Sequence, residues 1–208
     1  MILIGPYRIE IFGQITKNTI LVLVFAICLV SESHGNATAS PLSCKQRTER
    51  FLHDPVGASV EALGARPDED CWLALMRSED SLQSLIAAVA KGSIPAARYL
   101  APHIRELDGG DLEDADVALG LFSMYDMQEF MHLALSGVIT EDEFKSALVM
   151  LPLTLSDMPE AQLAELRKRR ENIERISDPA LGKYRGLGVA AIDSSIEETK
   201  RAMSAPQR

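Results

Sequence analysis

Three histidines downstream of residue 40 are candidates for acid–base or metal chemistry: His53, His103 and His132. They fall in three different predicted helices and show neither the His-Glu-x-x-His nor the His-x-His spacing of metal sites. His132 follows Glu129 by one helical turn, which is ordinary helix pairing. We therefore expect surface or hydrogen-bonded histidines and predict no metal site.

A run of acids at Asp108, Asp111, Glu113, Asp114 and Asp116 offers oxygen ligands of the kind that bind calcium. Calcium takes about six to eight oxygens from set loop positions, and no Asp-x-Asp-x-Asp-Gly frame is present. The helix dipole also favours acids in the first turn of a helix. The run therefore predicts capping and solvation, with Asp111 as the helix cap.

The one basic run is Arg167-Lys168-Arg169-Arg170, and Glu165, Glu171 and Glu174 interleave with it at pairing distances. This pattern predicts a solvated, salt-bridged helix. Neither a Gly-x-Ser-x-Gly nucleophile elbow nor a Gly-rich phosphate loop after a strand is present. We therefore predict no catalytic residue and no cofactor.

The N-terminal segment resembles an export signal in pattern. Ile20–Val30 is apolar and uncharged, with Arg8 and Lys17 upstream. Such a run suits the core of a signal peptide, whereas a membrane span needs about 20 residues. Ala37-Thr38-Ala39 fits the small-x-small cleavage pattern, and an uncleaved anchor is the alternative.

This pattern divides the chain into three predicted parts. Residues 1–39 are expected to be a signal peptide, residues 40–204 a helical domain and residues 205–208 a disordered tail. The predicted location is periplasmic or secreted, with no membrane attachment after cleavage.

Cysteine usage agrees with export. Cys28 lies in the predicted signal, so the mature chain keeps Cys44 and Cys71. In an oxidising compartment two cysteines most simply form one disulfide. Two buried free thiols are the alternative, and the two cysteines lack the paired spacing of structural zinc ligands.

Beyond residue 40 the sequence predicts an all-α fold. Ala, Leu and Glu dominate, and no apolar–polar alternation is sustained. Short loops make consecutive helices antiparallel, so we expect about eight helices as stacked hairpins, in a bundle or a short α-solenoid. Gly, Pro and Asp set the expected boundaries. The predicted helical segments cover residues 43–54, 55–64, 71–76 as a helical turn or short helix, 78–91, 93–107 with a kink at Pro102, 111–123, 124–136, 140–151, 156 or 157 to 176, 178–193 weakened or divided at Gly186 and Gly188, and 194–204.

Residues 88–101 resemble one hairpin of a Sel1-like or tetratricopeptide repeat. The similar features are Ala88 four residues before Gly92, Ala96 four after it and Leu100 four later. A shorter echo at residues 133–140 follows 45 residues on. The resemblance implies a concave surface for protein partners, and it assigns no family to the whole chain.

The net charge restricts the class of partner that we expect. The charges of the predicted signal cancel, so the mature part carries the whole net charge of −9. Acidity argues against nucleic acid and anionic membranes and permits a basic protein partner. We therefore expect an exported protein-binding module, for example an inhibitor or immunity-type protein that neutralises a basic partner. An exported hydrolase using carboxylates and a histidine is the alternative.

Overall fold

The computed structural model describes residues 43–53 and 69–204, which belong to one compact unit, Leu42–Arg208. These residues form nine α-helices joined by turns and 3₁₀ segments, and they contain no β-strand. The helices are α1 Cys44–His53, α2 Glu69–Met76, α3 Glu79–Ala90, α4 Ile94–Leu100, α5 Gly109–Tyr125, α6 Met127–Leu135, α7 Glu141–Val149, α8 Pro159–Glu174 and α9 Gly182–Ser204. The 3₁₀ segments are Ala101–Glu106, Leu153–Leu155 and Pro179–Leu181. The all-α prediction is confirmed.

Several predictions fall on residues that the structure does not describe. They are the signal peptide at 1–39, the short helix at 55–64 and the tail at 205–208. Within the described residues, no helix combines the length and the apolar character needed to cross a bilayer.

Local capping signals predict the helix starts well. Ser78 accepts a hydrogen bond from the backbone N–H of Ser81, and Ser93 accepts one from Ala96, both at 3.4 Å. Thr140 and Glu143 form the predicted capping box, with each side chain accepting from the other residue's backbone N–H. Each cap satisfies N–H groups that the first turn of a helix leaves without partners.

Other predicted boundaries are wrong. Glu69 and Asp70 belong to α2 instead of an acidic loop. Helix α4 ends at Leu100, and Pro102 lies in a separate 3₁₀ segment instead of kinking a longer helix. Because proline has no N–H to donate, a tighter 3₁₀ turn replaces the α-helical bonds there.

The acidic helix α5 begins after Asp108, so Asp111 lies in its first turn and does not cap it. Helix α6 has its own cap, Asp126, which accepts from the N–H of Glu129 at 2.8 Å. Helix α8 starts at Pro159, two or three residues after the predicted start at Ser156 or Asp157. These errors arise because two residues that favour a cap lie close together at the start of each helix, Asp108 and Asp111 at α5 and Ser156 and Asp157 at α8.

Helix α9 runs without interruption through Gly186 and Gly188, contrary to the predicted division. A Cβ at Gly188 would meet Ile173 of α8 and Leu148 of α7. Glycine is therefore used here for close helix packing, and the helix tolerates its lower propensity.

The helices pack in a row in which α3 contacts α5, α5 contacts α7 and α7 contacts α9, while α8 packs along α9. One buried apolar cluster runs through the row, and its members include Leu85, Leu100, Phe122, Phe144 and Ile192. Burying such side chains supplies about 1.5–3 kcal/mol each. The row therefore holds its neighbouring helices in fixed relative positions.

The two glycine turns behind the repeat resemblance share one backbone geometry. Gly92 and Gly137 have φ of 88° and 74°. In each turn the glycine N–H bonds the carbonyl three residues back, and the next N–H bonds the carbonyl five residues back, at 2.9–3.1 Å. After Gly92 the next cap is Ser93, whereas after Gly137 it is Thr140. The similarity between the two segments ends at the glycine turn, so the repeat remains a prediction.

The predicted disulfide is present between Cys44 and Cys71, whose Cα atoms lie 4.9 Å apart. It ties α1 to α2, and Cys71 is buried beside Trp72. By the chain-entropy model, closing a loop of this length stabilises the fold by about 3–4 kcal/mol.

Candidate functional site

The described histidines do not come together. His53 is exposed on α1, and His132 is half-buried on α6. His103 stacks on Trp72 with ring centroids 4.1 Å apart, and its Nδ1 lies 2.8 Å from Oε1 of Glu106. Within the described residues, no three His, Cys, Asp or Glu side chains are placed to hold a metal ion.

The acidic run divides between two faces of α5. On one face, the side-chain amide of Gln83 on α3 donates to Asp111 at 3.4 Å and to Asp114 at 3.5 Å. Asp108 and Glu113 are exposed. None of these four acids forms a salt bridge within the described residues. Asp114 is also exposed and Asp111 is half-buried. The four form an acidic end of α5 that is mostly exposed, as solvation predicts.

The fifth acid, Asp116, is buried, which corrects the prediction of solvation for the whole run. It is 6% exposed, and its Oδ2 accepts a hydrogen bond of 2.6 Å from the hydroxyl of Ser146 on α7. Its Oδ1 has no hydrogen-bond partner among the described residues. Burial raises the pKa of Asp116, the Ser146 bond opposes that effect, and the charge of Glu143 adds to it.

Glu143 lies near Asp116 but is well compensated. Arg105 donates to both of its carboxylate oxygens, at 2.9 and 3.3 Å, and the N–H of Thr140 donates at 2.6 Å. Burial alone would raise the pKa of Glu143, but the bonds from Arg105 and Thr140 outweigh it and lower the pKa. This carboxylate is therefore held in its ionised form.

The basic run also contains a buried member, so the prediction of a fully solvated helix is wrong at Arg169. Its side chain is 0% exposed, and its Nη1 donates to the carbonyls of Ala147, Leu148 and Met150 at 3.2, 3.0 and 2.9 Å. These carbonyls lie at the end of α7, where a helix leaves them without intrahelical partners. Arg169 therefore closes α7 from a neighbouring helix.

Arg169 also keeps an anionic neighbour, because its Nε donates to Glu165 at 3.3 Å. Burial lowers the pKa of the Arg169 guanidinium, and Glu165 opposes that shift. The surrounding carbonyls and the carboxylate supply four hydrogen bonds to the buried guanidinium, and its Nη2 has no partner within the described residues. We assign it a structural role.

An open groove lies between the start of α8 and the end of α9, with a volume of about 660 Å³. We call it the α8–α9 groove. Its lining is half polar and half apolar, and it includes Asp157, Pro159, Gln162, Glu198, Ala202 and Met203. The side-chain amide of Gln162 donates to the carbonyls of Leu155 and Ser156 at 2.7 and 3.0 Å, which fixes the loop that forms one wall.

The acids of this groove form no salt bridge within the part of the chain that the structure describes. Asp157 and Glu198 are exposed, and so is Glu160 nearby, which likewise forms none there. Met203 on the groove and Met158 beside it are 41% and 46% exposed. The groove therefore presents carboxylates next to uncovered apolar surface.

A second groove, of about 610 Å³, differs in its charges. Its acids Glu174 and Asp193 are both bound by Arg170, at 2.8 and 2.6 Å. Its cation Arg185 donates to the carbonyl of Ile176 at 2.6 Å. These charges already have partners in the chain. Neither groove is lined by a histidine.

Sequence reasoning missed the α8–α9 groove because its two acids lie on segments far apart in the chain. No local motif joins Asp157 to Glu198, and both read as solubilising charges. One sequence pattern could have indicated that Asp116 is buried. Gly120 and Ser123 follow it by about one and two helical turns, so the three residues lie on the same side of α5, and small residues there indicate close packing.

No protein-family model matches the chain, and no curated protein or solved structure matches it.

Proposed function

We propose that this protein is an exported module, periplasmic or secreted, that binds and neutralises a basic protein partner. The observation that supports the proposal is the distribution of unpaired carboxylates. Two groups of carboxylates, at the acidic end of α5 and at the α8–α9 groove, form no salt bridge within the described residues, and most of their members are exposed. Elsewhere acids such as Glu129, Glu141 and Asp193 are paired.

Unpaired surface carboxylates attract a basic partner and speed its association, because complementary fields steer the encounter. The packed row of helices holds these charges in fixed places, so little order has to be imposed on binding. The disulfide between Cys44 and Cys71 is compatible with an oxidising location.

The test is capture of a partner by the full-length protein expressed with its own leader. Tagged protein is incubated with periplasmic extract and culture fluid at low salt, and bound proteins are identified by mass spectrometry. We expect a basic protein at a stoichiometric amount that elutes as the salt rises to about 0.5 M, because salt screens exposed charges. Finding no stoichiometric partner at low salt contradicts the proposal.

Location has an independent test. Intact-mass analysis of the recovered protein is expected to show loss of residues 1–39 and thiols that resist alkylation. Recovery of an untrimmed chain from the cytosol with reactive Cys44 and Cys71 contradicts export.

A further inference from the structure

We propose that the α8–α9 groove is the surface that binds a basic segment of the partner. An arginine or lysine of that segment places its cationic head near Asp157 and Glu198 and its aliphatic stem on Met203. This inference rests on the proposed function and adds the binding surface and the chemistry of the bound segment.

The charge of the groove selects a cation. Two exposed carboxylates line it, and neither forms a salt bridge within the described residues. The neighbouring acid Glu197 is already bound by Lys200 at 2.7 Å. Within the described residues, this lysine therefore pairs with a carboxylate outside the groove lining. A partner's guanidinium or ammonium group complements this unpaired pair.

The apolar part of the groove selects a long aliphatic stem. Pro159, Ala202 and Met203 contribute apolar lining, and Met203 is 41% exposed. Arginine and lysine bury their methylene stems against apolar surface while keeping the charge in water. One such side chain therefore satisfies the apolar and the charged parts of the groove together.

Internal hydrogen bonds fix two parts of the groove lining. Gln162 fixes the loop before α8 through two backbone carbonyls, and the hydroxyl of Thr199 donates to the carbonyl of Ser195 at 2.9 Å on α9. The buried Leu163 and Ile196 pack α8 and α9 into the core. A site fixed before binding loses little conformational freedom when it is occupied.

Peptide titration tests the groove without knowledge of the natural partner. Isotope-labelled full-length protein is titrated, at low salt, with three synthetic dodecapeptides of equal length. One alternates Arg and Leu among Ser and Gly, one has every Leu replaced by Ser, and one has every Arg replaced by Gln. We expect the Arg-Leu peptide to bind tightest and to shift amide resonances of residues 155–162 and 198–203.

A pair of matched double variants gives the test its control. D157N/E198Q removes the groove carboxylates, whereas D142N/E171Q removes two exposed acids on α7 and α8 that already form ion pairs with Lys145 and Arg175. Two exposed ion pairs contribute modestly, so we expect D157N/E198Q to weaken binding of the Arg-Leu peptide roughly five- to tenfold. The control variant is expected to change binding less than about twofold.

Three results of the titration overturn the inference. They are shifts confined to the acidic end of α5, equal weakening in the two double variants, and no shift at millimolar peptide. Concentration-dependent self-association that D157N/E198Q abolishes also overturns it, because the occupant would then be a second copy of the chain.

Partner capture separates this inference from the proposed function. If a basic partner is captured and D111N/E113Q/D114N releases it while D157N/E198Q does not, the function stands and the groove assignment fails. If no partner is captured, the proposed function fails, and the peptide titration still decides whether the groove recognises a basic segment.

Discussion

Two charged side chains are buried against α7, and their surroundings differ. Arg169 reaches the end of α7 and bonds three backbone carbonyls and Glu165. Asp116 reaches the middle of α7 and accepts one bond, from Ser146. Each side chain keeps one atom without a hydrogen-bond partner among the described residues, Nη2 of Arg169 and Oδ1 of Asp116. The difference is that Arg169 makes four hydrogen bonds and Asp116 makes one.

The number of hydrogen bonds that replace water, together with burial, decides what a buried charge does to a fold. A buried charge stabilises the native state only when its bonds replace those it made to water. Arg169 replaces most of them, through three carbonyls that need a donor and through Glu165. Burial raises the pKa of Asp116, and its single bond from Ser146 opposes that effect without cancelling it.

The largest expected effect comes from removing the compensated charge. R169M keeps an apolar side chain of similar length but leaves the carbonyls of Ala147, Leu148 and Met150 without their donor. We expect a loss of about 3–5 kcal/mol in the free energy of unfolding, measured by urea denaturation. R167M, at an exposed position of the same helix, is the control and should change stability by less than about 0.5 kcal/mol. Equal stabilities would refute the structural role of Arg169.

The next effect tests how closely α5 approaches the Arg169 guanidinium. A Cβ at Gly120 would lie 2.6 Å from Nη1 of Arg169 and would also press on the carbonyl oxygen of Ala147. We therefore expect G120A to destabilise the fold by about 1–3 kcal/mol in thermal unfolding.

The control for G120A is G186A, because a Cβ at Gly186 meets nothing within 4 Å. Alanine has the higher helix propensity, so G186A should stabilise the fold by about 0.5–1 kcal/mol. If both variants shift stability in the same direction, the close approach of α5 to Arg169 is not the cause.

The caps and several ends of the helices could be predicted from the sequence because their partners are local. The caps at Ser78, Ser93 and Thr140 and the stops at Gly92 and Gly137 were all predictable. Each depends on residues within one or two turns of the chain, so the sequence contains both partners side by side.

The two buried charges were not predictable because their partners are distant. The carbonyls that bind Arg169 lie 19 to 22 residues away, and Ser146 lies 30 residues from Asp116. The neighbouring sequence does not distinguish Arg169, which lies beside the end of another helix, from the exposed charged residues of the same helix. The α8–α9 groove escaped prediction for the same reason, since its acids meet only after α8 and α9 pack.

A smaller effect is expected from neutralising the poorly bonded charge. D116N keeps an acceptor for Ser146 and removes the need to bury a charge, so we expect stability at pH 7 to rise by about 1 kcal/mol. The raised pKa of Asp116 sets the pH dependence. Its protonation contributes stability that is complete below the ordinary Asp pKa and is lost as the pH rises through the raised value.

Urea unfolding of the wild type and D116N from about pH 3.5 to 7.5 measures this difference. The advantage of D116N should grow as the pH rises. D114N, an exposed acid on the same helix, is the matched control. Parallel pH profiles for the wild type and D116N would show that Asp116 is ionised without cost.

The smallest expected effect concerns the coupling between Asp116 and Glu143. E143Q keeps one acceptor oxygen that can complete the capping box with Thr140, and it removes the charge and one of the two oxygens that accept from Arg105. Because the pKa of Glu143 is lowered, its charge contributes stability above the ordinary Glu pKa that is lost as the pH falls through the lowered value. E143Q should therefore flatten the acid side of the stability profile.

Since the charge of Glu143 also raises the pKa of Asp116, the gain from D116N should be smaller in the E143Q background. A double-mutant cycle at pH 7 measures that coupling, and strict additivity would mean that the two carboxyl groups do not sense each other.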